Sequence, residues 1–208
     1  MNRLSVLVGC ERSGVVREAF RAQGHDAFSC DVEASDDSSP HHLRCDVSDV
    51  LQDGWDLAIF HPPCTHLAVS GARWFHKKHQ EQGDALDFVW SLLNAPIPRI
   101  ALENPVSVIS SKIRKPDQIV QPWQFGHGET KATALWLVGL PLLIPTNVVD
   151  GREPRIHTMP PSPDRARLRS VTYQGVADAM AAQWPDAPRV PVQTRIDDLI
   201  CREPLLAR

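Results

Sequence analysis

The sequence predicts an α/β fold with a doubly wound, mostly parallel sheet. Three observations predict it. Short apolar runs of buried-strand type recur along the chain, as in LSVLVG (4–9), DLAIF (56–60) and RIALENP (99–105). Segments with helical apolar spacing alternate with these runs, which is the βαβ pattern. The residues best suited to chemistry, Cys64 and Glu103 among them, fall at or just after the strands, where ligands gather in such sheets.

The elements follow in order. LSVLVG gives a first strand ending in Gly9, and CERSG a turn. VVREAFRAQG places Val15, Val16, Ala19 and Phe20 on one helical face, with Gly24 at its C-terminal cap. HDAFSCD (25–31) is a second strand ending in an acid, RCDVSDV (44–50) a third short unit, and DLAIF a fourth strand bounded by HPPC. GDALDFVWSLLNA (83–95) is helical, with Leu86, Val89, Trp90 and Leu93 as the inner face. RIALENP is a fifth strand and ATALWLVGL (132–140) a further one. GVADAMAAQW (175–184) is a helix whose Val176, Met180 and Trp184 recur every fourth residue.

With 208 residues, 42% hydrophobic and 23% charged, the chain suits one domain with its own core. The net charge of −3 neither identifies nor excludes a nucleic-acid binder, since a local basic face matters more than the sum. No run of 18 apolar residues occurs, so no membrane partner is expected. The N-terminus carries no signal-peptide pattern. Five cysteines (10, 30, 45, 64 and 201) with irregular spacing and no CxxC pair imply free thiols and a cytoplasmic location. Prolines concentrate after residue 95, which predicts long irregular connections there.

The turn VGCERSG lies between a strand and a helix, as nucleotide-binding loops do, but it lacks both GxGxxG and the P-loop lysine. A structural turn accounts for it equally well. Asp31 ends the second strand, where an acid about 20 residues beyond the glycine turn commonly binds ribose hydroxyls. Its alternative is a solvated acid. Asp46 in CDVSD suits an adenine amino group, with Val47 against the ring; the alternative is a turn or N-cap acid. A cofactor with adenine and ribose but no phosphates fits this set. S-adenosylmethionine fits it better than a dinucleotide.

HPPCTHLAVSG (61–71) sets a thiol after two prolines at a strand end. A thiolate is a strong, soft nucleophile. Glu103, in LENP, ends the next strand. Cysteine and glutamate together activate a pyrimidine: the thiolate adds to C6 while the acid relieves charge at N3. C5 then becomes nucleophilic enough to accept a methyl group.

On these residues the chain resembles the cytosine-C5 DNA methyltransferase family in compact form. Pro63-Cys64 matches the family's catalytic Pro-Cys and Ser70-Gly71 its trailing Ser-Gly; Glu103-Asn104 matches Glu-Asn-Val, with Pro105 in place of Val. CDVSDVLQDGWDLAIFHPPC resembles the run from the adenine-binding acid to the nucleophile. FGHGETKATALWL resembles the segment bearing Gln-x-Arg-x-Arg, with Glu129, Lys131 and Thr133 at the three places. SVTYQGVADAMAAQW resembles the last motif, which packs beside the cofactor loop. The first motif departs from the family: LVGCERSG has no aromatic residue.

The resemblance implies a Rossmann-like, S-adenosylmethionine-dependent methyltransferase fold over 1–184, with 185–208 as a C-terminal tail. It implies that Cys64, Glu103 and Lys131 act in catalysis. Gly9, Cys10, Gly14, Asp31, Val32, Asp46, Val47, Pro62 and Thr172 would bind S-adenosylmethionine. Ser70, Arg73, Thr133, Arg165 and Arg167 would bind substrate. No metal is implied. The partner would be DNA, as a duplex with a flipped cytosine or as a single strand. The stretch 141–169 is too short for a separate target-recognition domain but carries Arg152, Arg155, Arg165, Arg167 and Arg169. These suit phosphate contact, or else form a solvated linker; SSKIRKP (110–116) is a second basic cluster. An accessory protein or an oligomer would be a further route to target recognition.

Other classes fit less well. Thymidylate-type enzymes share Pro-Pro-Cys, but their cysteine comes late in the chain. Amino methyltransferases carry an aromatic where Cys64 stands. The zinc deaminase pattern lacks its first element and its second cysteine. His61, Cys64 and His66 as a metal cluster is the weaker reading of those residues. A free pyrimidine nucleotide or an RNA cytosine remains an alternative substrate. A degenerate DNA-binding relative is the non-enzymatic alternative, and the presence of both Cys64 and Glu103 speaks against it.

Overall fold

Alternation along β1 (Ser5–Gly9) sets the layering of the molecule. Val6 and Val8 enter one core, Leu7 the other, and all three are fully buried, as expected for a strand with helices on both faces. The same alternation places Ala101 of β5 (Ile100–Pro105) on the first side and Ile100 and Leu102 on the second.

The computed structural model describes residues 2–69 and 79–187. Besides β1 and β5 it contains β2 (Asp26–Asp31), β3 (His42–Arg44), β4 (Leu57–Phe60), β6 (Gln118–Val120) and β7 (Thr133–Val138). They form one mixed sheet in the order β3-β2-β1-β4-β5-β7-β6. β1 to β5 pair in parallel; β7 runs antiparallel to both β5 and β6. The chain order reverses between β1 and β4, and such a switch point opens a crevice at the carboxyl edge. The architecture is thus a Rossmann-like α/β sheet, as the sequence predicts. The antiparallel β6–β7 pair is an addition that the apolar runs did not reveal.

On the first face lie α1 (Val15–Ala22) and α6 (Gln174–Gln183). Gly14 supplies the left-handed N-cap of α1 at φ 75°, and Gly24, at φ 87°, the reversal beyond its end. Val176, Met180 and Trp184 bury the inner side of α6, as their spacing predicts. Arg17 is fully buried on α1 as well, its charge met by Asp37, Glu18 and the Ser29 hydroxyl.

α2 (His79–Leu93) covers the opposite face through Val89, Leu92 and Leu93. Trp90, expected inside, is 49% exposed. Leu92 takes the inward position, which rotates the buried stripe away from the one expected. The turn of 3₁₀ helix at Val47–Val50 and the short helices α3 (Ile109–Lys112), α4 (Arg155–Thr158) and α5 (Arg165–Ser170) complete the described elements. Beyond α6, the buried Arg99 guanidinium donates to the carbonyls of Pro185 and Ala187 at 2.8 and 3.1 Å. This ties the first residues of the tail to β5.

Candidate active site

The carboxyl ends of β1, β2, β4 and β5 open into one cleft of about 1260 Å³. Cys64, Glu103 and Lys131 line it, together with Cys10, Asp31, Val32, Asp46, Val47, Pro62 and Thr172. The sheet thus gathers the three expected catalytic residues and most of the expected cofactor residues along one edge. Ser70 and Arg73 lie outside the described residues.

Cys64 follows β4 through Pro62 and Pro63. Its carbonyl accepts from the backbone N–H groups of Leu67 and Ala68, at 3.1 and 2.9 Å, so the thiol stands at the head of a tight turn. Its side chain is partly exposed to the cleft.

Glu103 is paired. The last aligned pair of β4 and β5 is Phe60 with Leu102, so the parallel register carries His61 alongside Glu103. His61 Nδ1 lies 2.8 Å from Glu103 Oε2, and the Thr172 hydroxyl donates to the same oxygen at 3.3 Å. Burial alone pushes the Glu103 carboxyl up. The hydrogen bond and charge of His61, with Lys131 and Thr172, outweigh this and hold it at about 2. Burial lowers His61, but Glu103 raises it further, so the imidazole is held above its ordinary range. The pairing thus favours the protonated imidazole and the ionised carboxylate, each stabilising the other. The expected role of Glu103 toward a ring nitrogen therefore needs a proton that its own carboxyl, held low, does not readily keep.

Lys131 stands close enough to Glu103 to favour its ionised form, and its Nζ donates to the Val171 carbonyl at 3.1 Å. Thr172, expected on the cofactor, spends its hydroxyl on Glu103. Thr133 does not face the cleft. Its hydroxyl donates to the Lys131 carbonyl at 3.2 Å, and it borders a water-sized void behind Glu103.

On the cofactor side, Asp31 accepts from the Glu33 backbone N–H at 2.9 Å, and burial raises its carboxyl above the ordinary value against the pull of His42 and Arg12. Asp46 Oδ1 accepts from the Ser48 N–H at 2.8 Å, so it caps the 3₁₀ turn while lining the cleft. Both expectations for Asp46 are compatible, since a carboxylate accepts several hydrogen bonds. Cys10 occupies the left-handed region at φ 59°, and burial with Asp31 and Asp46 pushes its thiol up to about 12. It is a neutral wall of the cleft rather than a nucleophile.

Gly9 and Gly14 do not line the cleft. A Cβ on Gly9 would stand 2.7 Å from both Phe60 and Val47, so its smallness serves packing; Gly14 serves the α1 cap.

Sequence reasoning does not find Glu11. Its carboxylate accepts from the Val16 and Arg17 N–H groups at 2.7 and 3.2 Å. The N-terminus of α1 is thereby filled by the protein's own anion. That is the position a dinucleotide's pyrophosphate would take, so the loop suits a cofactor without phosphates. The capping-box spacing, the sequence signal that finds such an acid, is absent here.

The arginines of 141–169 divide into two groups. Arg152 stacks 3.9 Å above the Trp123 ring, Arg155 pairs with Glu129 at 2.9 Å, and Arg165 donates to the Met159 carbonyl at 2.9 Å. These are largely committed within the fold, which corrects the expectation for Arg165. Arg167 and Arg169 line the cleft, and Arg167 lies 3.6 Å from Asp36 across its mouth. Arg12, on the other side, meets Asp36 and Glu33.

No family model matches the chain, and no curated protein matches it. Among the described residues, no helix is long and apolar enough to cross a membrane.

Proposed function

We propose that the protein transfers a methyl group from S-adenosylmethionine to C5 of cytosine in DNA, through a covalent bond between Cys64 and C6. One observation carries the reading: Cys64, Glu103 and Lys131 border the same cleft as Asp31, Asp46 and Val47, at the carboxyl edge of a Rossmann-like sheet. A nucleophile and an acid–base group then face one reactant while two carboxylates face another.

The residues present fit the cofactor. The α1 N-terminus is closed to phosphate by Glu11, Asp31 and Asp46 offer acceptors for ribose hydroxyls and an adenine amino group, and Val47 offers an apolar wall. When bound, S-adenosylmethionine supplies an electrophilic methyl group. Cys64 supplies the electron pair that makes C5 reactive, and Glu103 receives or delivers the proton at N3. Arg167 and Arg169, at the rim, suit the backbone phosphates of a strand entering the cleft. A stacked base cannot be approached from both faces, so the substrate cytosine is flipped or already unpaired.

The test is covalent trapping. DNA containing 5-fluorocytosine, incubated with S-adenosylmethionine, should hold the protein in a complex that survives denaturation, because fluorine at C5 blocks the final elimination. Cys64→Ser should abolish the complex. Equal trapping by the serine variant refutes the nucleophile, and methylation of free cytidine nucleotides but not DNA replaces the substrate.

A further inference from the structure

We infer that the acid of this site is a two-residue unit, in which His61 carries the proton and Glu103 passes it to the ring nitrogen of the substrate. The inference rests on the pyrimidine-methylating reading for its substrate. It concerns a residue that reading does not use.

The geometry is specific. His61 is the first residue beyond β4 and continues the parallel register opposite Glu103. Its backbone N–H donates to the Gly9 carbonyl at 2.9 Å, which fixes the strand end. Its Nδ1 then meets Glu103 Oε2 at 2.8 Å, with both side chains about nine-tenths buried. A carboxylate accepts, so Nδ1 carries the hydrogen. His61 Nε2 finds no partner among the described residues, so Glu103 is the polar contact that orients the ring. The charged groups acting on His61 are Glu103 on β5, Glu11 in the β1–α1 turn and Lys131 before β7.

An ionised glutamate flanked by a lysine and a histidine has no proton of its own to give. The chemistry nevertheless needs one. As the S–C6 bond forms, the C5=C6 π pair becomes a C4=C5 bond and the C4=N3 π pair moves onto N3. The Nδ1 proton of His61 passes to Glu103 and from its carboxyl to N3, leaving a neutral imidazole and an ionised glutamate. When C5 bonds to the methyl group, the donor's S–CH3 bond breaks to leave a neutral thioether, C4=N3 reforms, and N3 returns its proton through Glu103 to His61. Water then removes the C5 proton, that electron pair restores C5=C6, and the S–C6 bond breaks to release the thiolate. His61 is thus a positioning residue for Glu103 and the store of its proton.

The experiment uses the full chain labelled with ¹⁵N-histidine. Imidazole resonances, with His61 assigned by its loss in His61→Asn, should show His61 protonated to a pH above 6.5, and deprotonating at lower pH in Glu103→Gln. Single-turnover methyl transfer to cytosine-containing DNA should fall on the alkaline side at the His61 midpoint. His61→Asn keeps an amide donor toward Oε2 but carries no proton. It should lose about 10²-fold in rate at neutral pH, and its alkaline decline should move to lower pH, where Glu103 itself must be protonated. A neutral His61 at pH 6.5 in the wild type, or an unchanged profile in His61→Asn, overturns the inference. The resonance measurement needs no activity. A pair that titrates as described, in a protein that methylates no cytosine in DNA, RNA or nucleotide, refutes the methyltransferase reading and leaves the His61–Glu103 assignment standing.

Discussion

The side-chain amide of Asn104 donates to the carbonyl of Pro62 at 3.0 Å, and both residues are buried. This bond joins the end of β5 to the turn that presents Cys64. It spans 42 residues of sequence, so the thiol and the carboxylate of Glu103 are held in one frame by the residue that follows the carboxylate.

Asn104→Ala should leave the Pro62 carbonyl without its donor. The expected loss is about 1–3 kcal/mol of stability, the cost of a buried polar group losing its partner, read from the shift of the urea midpoint. On the proposed reading, methyl transfer should fall further than the folded fraction does, while S-adenosylmethionine affinity holds, because Asp31, on β2, and Asp46, at the head of the 3₁₀ turn, are held by other elements. Unchanged turnover would show that the frame does not position the thiol.

Asp31→Ala tests the cofactor side. Removal of its carboxylate should weaken S-adenosylmethionine by about 1–3 kcal/mol, since ribose hydroxyls would lose a charged acceptor. Isothermal titration calorimetry reads this directly. Unaltered affinity would return Asp31 to the role of a partly buried strand-end acid.

The His61–Glu103 pair gives folding stability a defined pH window. Glu103 lies below its ordinary value of 4.5 in the folded state. Its contribution is therefore complete above that value and is lost as pH falls through the folded value toward about 2. His61 lies above its ordinary 6.5, so its contribution is complete below 6.5 and is lost as pH rises through the folded value. The stability difference between wild type and Glu103→Gln should peak between pH 4.5 and 6.5. Denaturant midpoints taken across pH would show this, and a difference that does not vary with pH would argue against the ion pair.

Arg167 and Arg169 face the cleft, with Arg167 paired only at long range to Asp36 and Asp164 (3.6 and 3.5 Å), whereas Arg155 is held by Glu129 at 2.9 Å. Replacement of Arg167 and Arg169 by alanine should weaken DNA binding and lower the salt slope by nearly one for each phosphate left unneutralised. Arg155→Ala should leave the slope unchanged. Equal effects from all three would mean that the strand runs along the whole 141–169 segment rather than over the cleft.

The sequence by itself determined β1, β2, β4, β5, β7 and most of the inner faces. β3 ends where the unit expected at 44–50 begins, that unit is largely a 3₁₀ turn, and β6 was not foreseen. The apolar runs at 4–9, 56–60 and 99–105 became β1, β4 and β5, because a strand buried on both faces must be apolar throughout. Val176, Met180 and Trp184 were legible because four-residue spacing reports one face of a helix. The positions of Cys64, Asp31 and Glu103 at strand ends followed from the same runs, and the rule that carboxyl edges bind ligands made them a candidate site. Periodicity reports burial within one element and says nothing about which element lies beside it. The antiparallel β6–β7 pair, the outward turn of Trp90 and the commitment of Arg152, Arg155 and Arg165 to internal partners were therefore decided by the tertiary structure. So was the bias of Glu103 toward its ionised form. Its partner, His61, is reached only because β4 and β5 are parallel neighbours in a register that sets position 61 beside position 103. Sheet order and register, not local spacing, bring the two charges within 2.8 Å, and at that separation in a buried site the pairing outweighs the cost of burial.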